Sequence, residues 1–88
     1  MEKVYDIEKI LKVLANRRRL AILKYLQKRH ADVSGIAEHC KISLKAASKH
    51  LRILAAADLV SREQNGFHAD YCLKEPLHKL ATQALAHL

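Results

Sequence analysis

Within the stretch "ISLKAASKHLR" (Ile42 to Arg52), Lys45, Ser48, Lys49 and Arg52 stand at i, i+3, i+4 and i+7. On an α-helix that spacing lines them along one side. Three cations and a hydroxyl in a row can donate hydrogen bonds to phosphate oxygens and to acceptor atoms on nucleic-acid base edges. Ala47, Leu51 and Leu54 recur on a different sector of the same helix. It can therefore sit on an apolar core while its polar ridge stays in water. Ser43 stands at the N-cap position, where its oxygen and the first-turn N–H groups could meet a phosphate. The expected base-reading residues are Lys45, Ser48 and Lys49. Arg52, one turn on, is expected to hold a phosphate, and Ala46 is small enough to meet a thymine methyl. The bland alternative is a solvated cationic face with no partner.

The elements around this ridge follow from apolar spacing and cap residues. Ile7, Ile10, Leu11 and Leu14 are helically spaced within residues 5–14. Asn16 can cap a second helix running to about Arg29, with Leu20, Leu23 and Leu26 inward and Ile22 flanking. Asp32 caps a short helix through Val33, Ile36 and Ala37 to His39. A break at Cys40-Lys41-Ile42 then leads to the ridge helix, which runs to about Ala57 and ends at Asp58, a residue that tolerates the left-handed conformation. Two short helices across a tight break have helix-turn-helix spacing, in which the second helix enters the major groove of DNA.

After Asp58 the period changes to two. Residues 59–64 suit a strand, Asn65-Gly66 is a two-residue hairpin signal, and Phe67, Ala69, Tyr71 and Leu73 alternate on a returning strand. The hairpin is expected to form a wing with its tip at Gln64-Asn65-Gly66, flanked by Arg62 and His68, which could reach the backbone or the minor groove. Pro76 is expected in the first turn of a last helix carrying Leu77, Leu80, Ala81, Ala84, Leu85 and Leu88. The expected fold class is thus mainly α with a β-hairpin: a winged helix-turn-helix ordered α-α-α-α-β-β-α.

Size and charge agree with a polyanion as partner. The chain has 88 residues, 50% of them apolar, with 16 Lys and Arg against 9 acids and a net charge of +7. It reads as one small domain, 1–88. By charge, nucleic acid is the first expectation and an anionic membrane surface the second; with the helix-turn-helix spacing the expected partner is double-stranded DNA. No apolar stretch approaches the roughly 20 residues of a bilayer span, and the N-terminal residues do not read as a signal peptide. The expectation is a cytoplasmic protein with no membrane partner. Cys40 and Cys72 form no CxxC and are expected to be reduced thiols. A switch between them would need Cα atoms within about 7 Å.

Three stretches resemble the ArsR family of bacterial winged-helix repressors: "LKVLANRRRLAILKYL" (Leu11 to Leu26), "VSGIAEHCKISLKAASKHLRILAAADLV" (Val33 to Val60) and "GFHADYCL" (Gly66 to Leu73). The resemblance covers roughly residues 8–74. It implies a homodimer that binds an imperfect palindrome and is released by an inducer. It also matches His50 to a family histidine in the recognition helix. By spacing His50 lies at the edge of the core face, where it could orient the helix or hold a phosphate. Three departures are local: Asp58 stands where glycine is usual, Lys41 replaces a small turn residue, and Arg17 stands where proline is common.

Many relatives sense metal through cysteines in the first helix of the helix-turn-helix, but the matching Asp32-Val33-Ser34 has no thiol. No Asp or Glu follows Glu75, and His78 and His87 face opposite sides of a helix. No metal or cofactor is therefore expected, and no residue pattern identifies an inducer, whether small molecule or metal. An enzyme is a poor fit, because no nucleophile, base and acid grouping or phosphate loop is present. The first and last helices, residues 1–14 and 77–88, are expected to dimerise through Ile7, Leu11, Leu77, Leu80, Ala81, Ala84, Leu85 and Leu88. The function expected is a sequence-specific, DNA-binding transcriptional regulator acting as a homodimeric repressor on a palindromic operator. The alternatives are a winged-helix protein-interaction module or a non-specific nucleic-acid-binding domain.

Overall fold

A computed structural model describes residues 2–88; Met1, inside the expected 1–14 segment, lies outside the described residues. The order is α1 (Glu2–Leu14), α2 (Arg17–Leu26), α3 (Val33–Cys40), α4 (Leu44–Ala56), β1 (Val60–Asn65), β2 (His68–Leu73) and α5 (Lys79–Ala86). This is the winged helix-turn-helix expected from the sequence.

Each of the three expected cap residues satisfies N–H groups that a helix start would leave unpaired. The Asn16 side-chain oxygen accepts from the N–H groups of Arg18 (3.0 Å) and Arg19 (3.1 Å). Asp32 accepts from Gly35 N–H at 2.8 Å, and the Ser43 hydroxyl oxygen from Ala46 N–H at 3.0 Å. The C-termini of α3 and α4 close alike. The Ile42 and Lys41 N–H groups reach back to the carbonyls of Ala37 and Glu38; those of Leu59 and Asp58 reach Leu54 and Ala55. This Schellman closure needs a left-handed residue, and Lys41 (φ 56°) and Asp58 (φ 57°) supply it without being glycine.

The core joins Ile10, Val13 and Leu14 of α1, Ile22, Leu23 and Leu26 of α2, Ile36 and Ala37 of α3, Ala47, Leu51 and Leu54 of α4, and Leu59, Val60, Ala81 and Leu85. Helix α2 packs against all four other helices and β2, so it needs a broad apolar face. For that reason Ile22 is fully buried and Leu20 takes the flanking place, the reverse of the expected order. The helix also stops at Leu26, short of Arg29. The Tyr25 ring stacks on His39 with centroids 4.0 Å apart, and the Arg29 guanidinium lies 4.8 Å from the Tyr25 centroid. These contacts tie the exposed edges of α2 and α3 together.

The wing is antiparallel, in register from Val60↔Leu73 to Asn65↔His68. Its turn sits one residue later than expected: Asn65 belongs to β1, and Gly66-Phe67 is the loop. Gly66 takes φ +65° while Phe67 does not have positive φ. That sign pattern belongs to the type II′ hairpin turn, which wants glycine first. Phe67 is thereby lifted off the strand face it was expected to share with Ala69, Tyr71 and Leu73, and it is fully exposed. A bridge between Ala31 and Tyr71, with N–H···O distances of 3.1 and 2.7 Å, moors β2 to the residue before the Asp32 cap.

Helix α5 starts later than expected. Pro76 precedes it after a cis Glu75–Pro76 bond, and the His78 ring caps it, Nδ1 accepting from Leu80 N–H at 3.1 Å. Leu77 therefore lies before the helix, packed against the core. Lys24 Nζ donates to the Leu88 carbonyl at 2.7 Å and joins α2 to the residue pair after α5.

Candidate nucleic-acid interface

The capping of Ser43 and the burial of Ala47, Leu51 and Leu54 fix the rotation of α4 about its axis. Lys45, Ser48, Lys49 and Arg52 are all exposed on its outer side. Ser43 is exposed with its oxygen committed to the cap, which leaves its O–H free to donate. Ala46 is half-buried. Leu44, at the first position of α4, is exposed and offers an apolar surface that the polar spacing of the ridge does not mark.

His50 is half-buried beside this ridge and is held by a residue far away in sequence. Arg19 donates from Nε to the Val13 carbonyl at 2.7 Å and from a terminal nitrogen to the Lys12 carbonyl at 3.4 Å. Its other terminal nitrogen stands 3.4 Å from His50 Nδ1. One guanidinium thus joins the C-terminal carbonyls of α1 to the recognition helix. Burial pushes the His50 pKa below the ordinary histidine range, helped by the charges of Arg19, Arg18 and Lys49. A neutral ring accepting at Nδ1 carries its proton on Nε2, and Nε2–H is then a donor. Sequence spacing gave no sign of the Arg19–His50 pair, because its members are 31 positions apart.

On the wing, Arg62, Gln64, Asn65 and His68 are all exposed, but they are not equally free. Gln64 Nε2 donates to the Gly66 carbonyl at 2.7 Å and braces the tip. His68 Nε2 lies 2.8 Å from Asp70 and Nδ1 3.8 Å from Asp32, so its ring is turned toward the protein. Arg62 and Asn65 make no side-chain hydrogen bond among the described residues.

The expected dimerisation residues divide into three groups. Ala81 is 0% and Leu85 3% exposed. Both are covered by their own protomer, so their assignment to a surface between protomers is corrected. A helical stripe read from sequence does not say which surface covers it. Leu77, Leu80 and Ala84 are half-buried against the core. Ile7, Leu11 and Leu88 are exposed, as are Val4 and Tyr5, which the sequence reading did not include.

Among the described residues, no three His, Cys, Asp or Glu side chains stand together to hold a metal ion. Both cysteines are free. Burial raises the Cys40 thiol pKa; burial and the carboxylates of Glu63 and Glu75 raise that of Cys72. Neither is poised as a thiolate nucleophile. No described helix is long and apolar enough to cross a membrane.

Solved structures share this architecture over nearly the whole chain. Reduced HlyU from Vibrio cholerae superposes with a TM-score of 0.83 at 25% identity, covering 99% of this chain and 88% of that one. NolR from Sinorhizobium fredii gives 0.86 at 28%, covering 98% and 83%. The homodimeric winged helix-turn-helix DNA-binding domain of Mb0332 from Mycobacterium bovis, a possible ArsR-family transcriptional regulator, gives 0.82 at 27%, covering 98% and 77%. No curated protein matches the sequence. The family described as bacterial regulatory protein, arsR family, matches residues 16–62, just over half of the chain, from the Asn16 cap to Arg62 at the base of the wing. The chain belongs to the ArsR family of helix-turn-helix transcriptional regulators, and neither the family nor these structural relatives are enzymes.

Proposed function

We propose that this regulator is a homodimeric repressor that binds a palindromic operator, with one α4 in the major groove of each half-site. The observation that carries the reading is the outward row of Lys45, Ser48, Lys49 and Arg52 on a helix locked from behind by Ala47, Leu51 and Leu54. Lys45, Ser48 and Lys49 read base edges, and Leu44 and Ala46 lie against thymine methyls. Ser43, His50 through Nε2–H, and Arg52 hold phosphates. Arg62 and Asn65 approach the backbone or minor groove from the wing, while Gln64 and His68 chiefly shape it.

Dimerisation uses the exposed apolar side chains Val4, Tyr5, Ile7 and Leu11 of α1 together with Leu88, with the half-buried Leu77, Leu80 and Ala84 at its margin. A two-fold partner presents the second α4 about 34 Å away, one turn of DNA. The homodimeric state of the Mycobacterium bovis relative supports this arrangement.

The test is selection of binding sites from random duplexes, followed by titration of the selected site, a scrambled duplex and an RNA of equal length. The expected result is an inverted repeat with half-sites one turn apart, bound far more tightly than the other two. Equal binding to all three would leave only a non-specific nucleic-acid-binding domain.

A further inference from the structure

The wing tip carries a side chain that neither the fold nor the ridge on α4 accounts for. Phe67 is 109% exposed, more than in an extended reference chain. Leaving such a ring in water forgoes the stabilisation that burial of a large apolar side chain brings. Its position is set by the turn and the hairpin beneath it. The II′ turn puts it at the outer end of a hairpin rooted at buried Val60 and moored by the Ala31–Tyr71 bridge. Five residue steps of β1 make that arm about 17 Å long. The neighbouring polar groups are already engaged: Gln64 with the Gly66 carbonyl, and His68 with Asp70 and Asp32. Beyond them the tip offers a phenyl ring and the Asn65 amide. Arg62, the cation of β1, stands lower on the arm, three residues before the tip.

We infer that Phe67 is a wedge that enters the minor groove beside the operator half-site and partly unstacks one base step. Minor-groove proteins use this combination, amide side chains to meet the groove edges and an apolar side chain to pry a step open. Such a contact senses how easily a step deforms. It therefore adds preference for a flexible pyrimidine–purine step at a position α4 does not touch. The inference rests on the reading of α4 as the major-groove helix and adds a base-step contact to the wing's approach.

The test uses the full chain and operators carrying 2-aminopurine at successive flanking steps, with Phe67→Ala, Phe67→Leu and Lys49→Ala compared to the unaltered protein. Because Phe67 packs against nothing, both substitutions at that position leave folding intact, which circular dichroism checks. The unaltered protein should raise 2-aminopurine fluorescence at one flanking step per half-site. Phe67→Ala should abolish that rise and weaken operator binding about 5- to 100-fold, with the salt slope unchanged. Phe67→Leu, which keeps an apolar wedge, should retain part of both. If Phe67→Ala binds with unchanged affinity and fluorescence while Lys49→Ala loses the operator, the wedge is wrong and the α4 reading stands. If the unaltered protein binds no duplex, both are wrong. If Phe67→Ala instead lowers the sedimentation coefficient of the free protein, the ring is a contact between copies and the wedge is again wrong.

Discussion

The Arg19–His50 pair shows how one side chain can tie a recognition surface to the body of a small protein. Protonating the His50 ring would put a proton on the nitrogen that faces a guanidinium and add a charge beside Arg18 and Lys49. With its folded pKa held below the ordinary value of about 6.5, His50 contributes stability that is complete above that value. The contribution is lost as pH falls through the folded pKa. Urea midpoints measured between pH 7.5 and 5 should fall more for the native protein than for His50→Gln, which cannot titrate. On the ridge, the two kinds of cation separate by assay. Lys49→Ala should cost about 1–3 kcal/mol of discrimination between operator and scrambled duplex, because a base contact is lost. Arg52→Ala should weaken both duplexes alike and lower the salt slope by about one. Quantitative gel shifts at several salt concentrations resolve the two outcomes. None of the Arg19 chemistry was legible in the sequence, since the pair is made by the packing of α2 on α4 and no local period encodes it.

Local rules were legible where they act over a few residues. The caps Asn16, Asp32 and Ser43 were found because a polar side chain before an apolar period has one evident use. The same local logic missed the wing turn by one position. Asn65 and Gly66 both accept positive φ, and the sequence does not say which of them enters the strand; the register settles it as Asn65. It also misplaced the start of α5, where the ring of His78 caps the helix and Pro76 does not open it. The left-handed Lys41 and Asp58 give a prediction for whole elements. An L-residue there pays about 1–2 kcal/mol that glycine avoids, offset by the greater chain entropy glycine loses on folding. Asp58→Gly should raise stability by about 0.5–1 kcal/mol, seen as a higher urea midpoint with an unchanged m-value. Ser43→Ala should lower it by about 1 kcal/mol.

For the whole molecule, the apolar stripes of α1 and α5 carried two meanings that sequence alone merges. Ala81 and Leu85 complete the protomer's own core, whereas Val4, Tyr5, Ile7 and Leu11 face out. A charge in the first group and a charge in the second should therefore fail differently. Leu85→Glu buries an unpaired carboxylate and should unfold the chain at room temperature. Leu11→Glu should leave the circular dichroism spectrum intact and halve the sedimenting mass. Operator affinity should then drop steeply, because two linked half-sites become independent ones.

The Ala31–Tyr71 bridge fastens together positions 40 residues apart in the chain, whereas the turns that build the helices close over three or four. Closing a loop of that length costs more chain entropy than closing a helical turn, which makes mooring of the hairpin a later event on the folding route than the winding of the helices. It should also be among the first to open again: the amide hydrogens of Ala31 and Tyr71 should exchange with solvent deuterium well before those of Leu23 or Leu51. The arm that carries Phe67 would then swing by brief local unfastening, while the helices behind it stay closed.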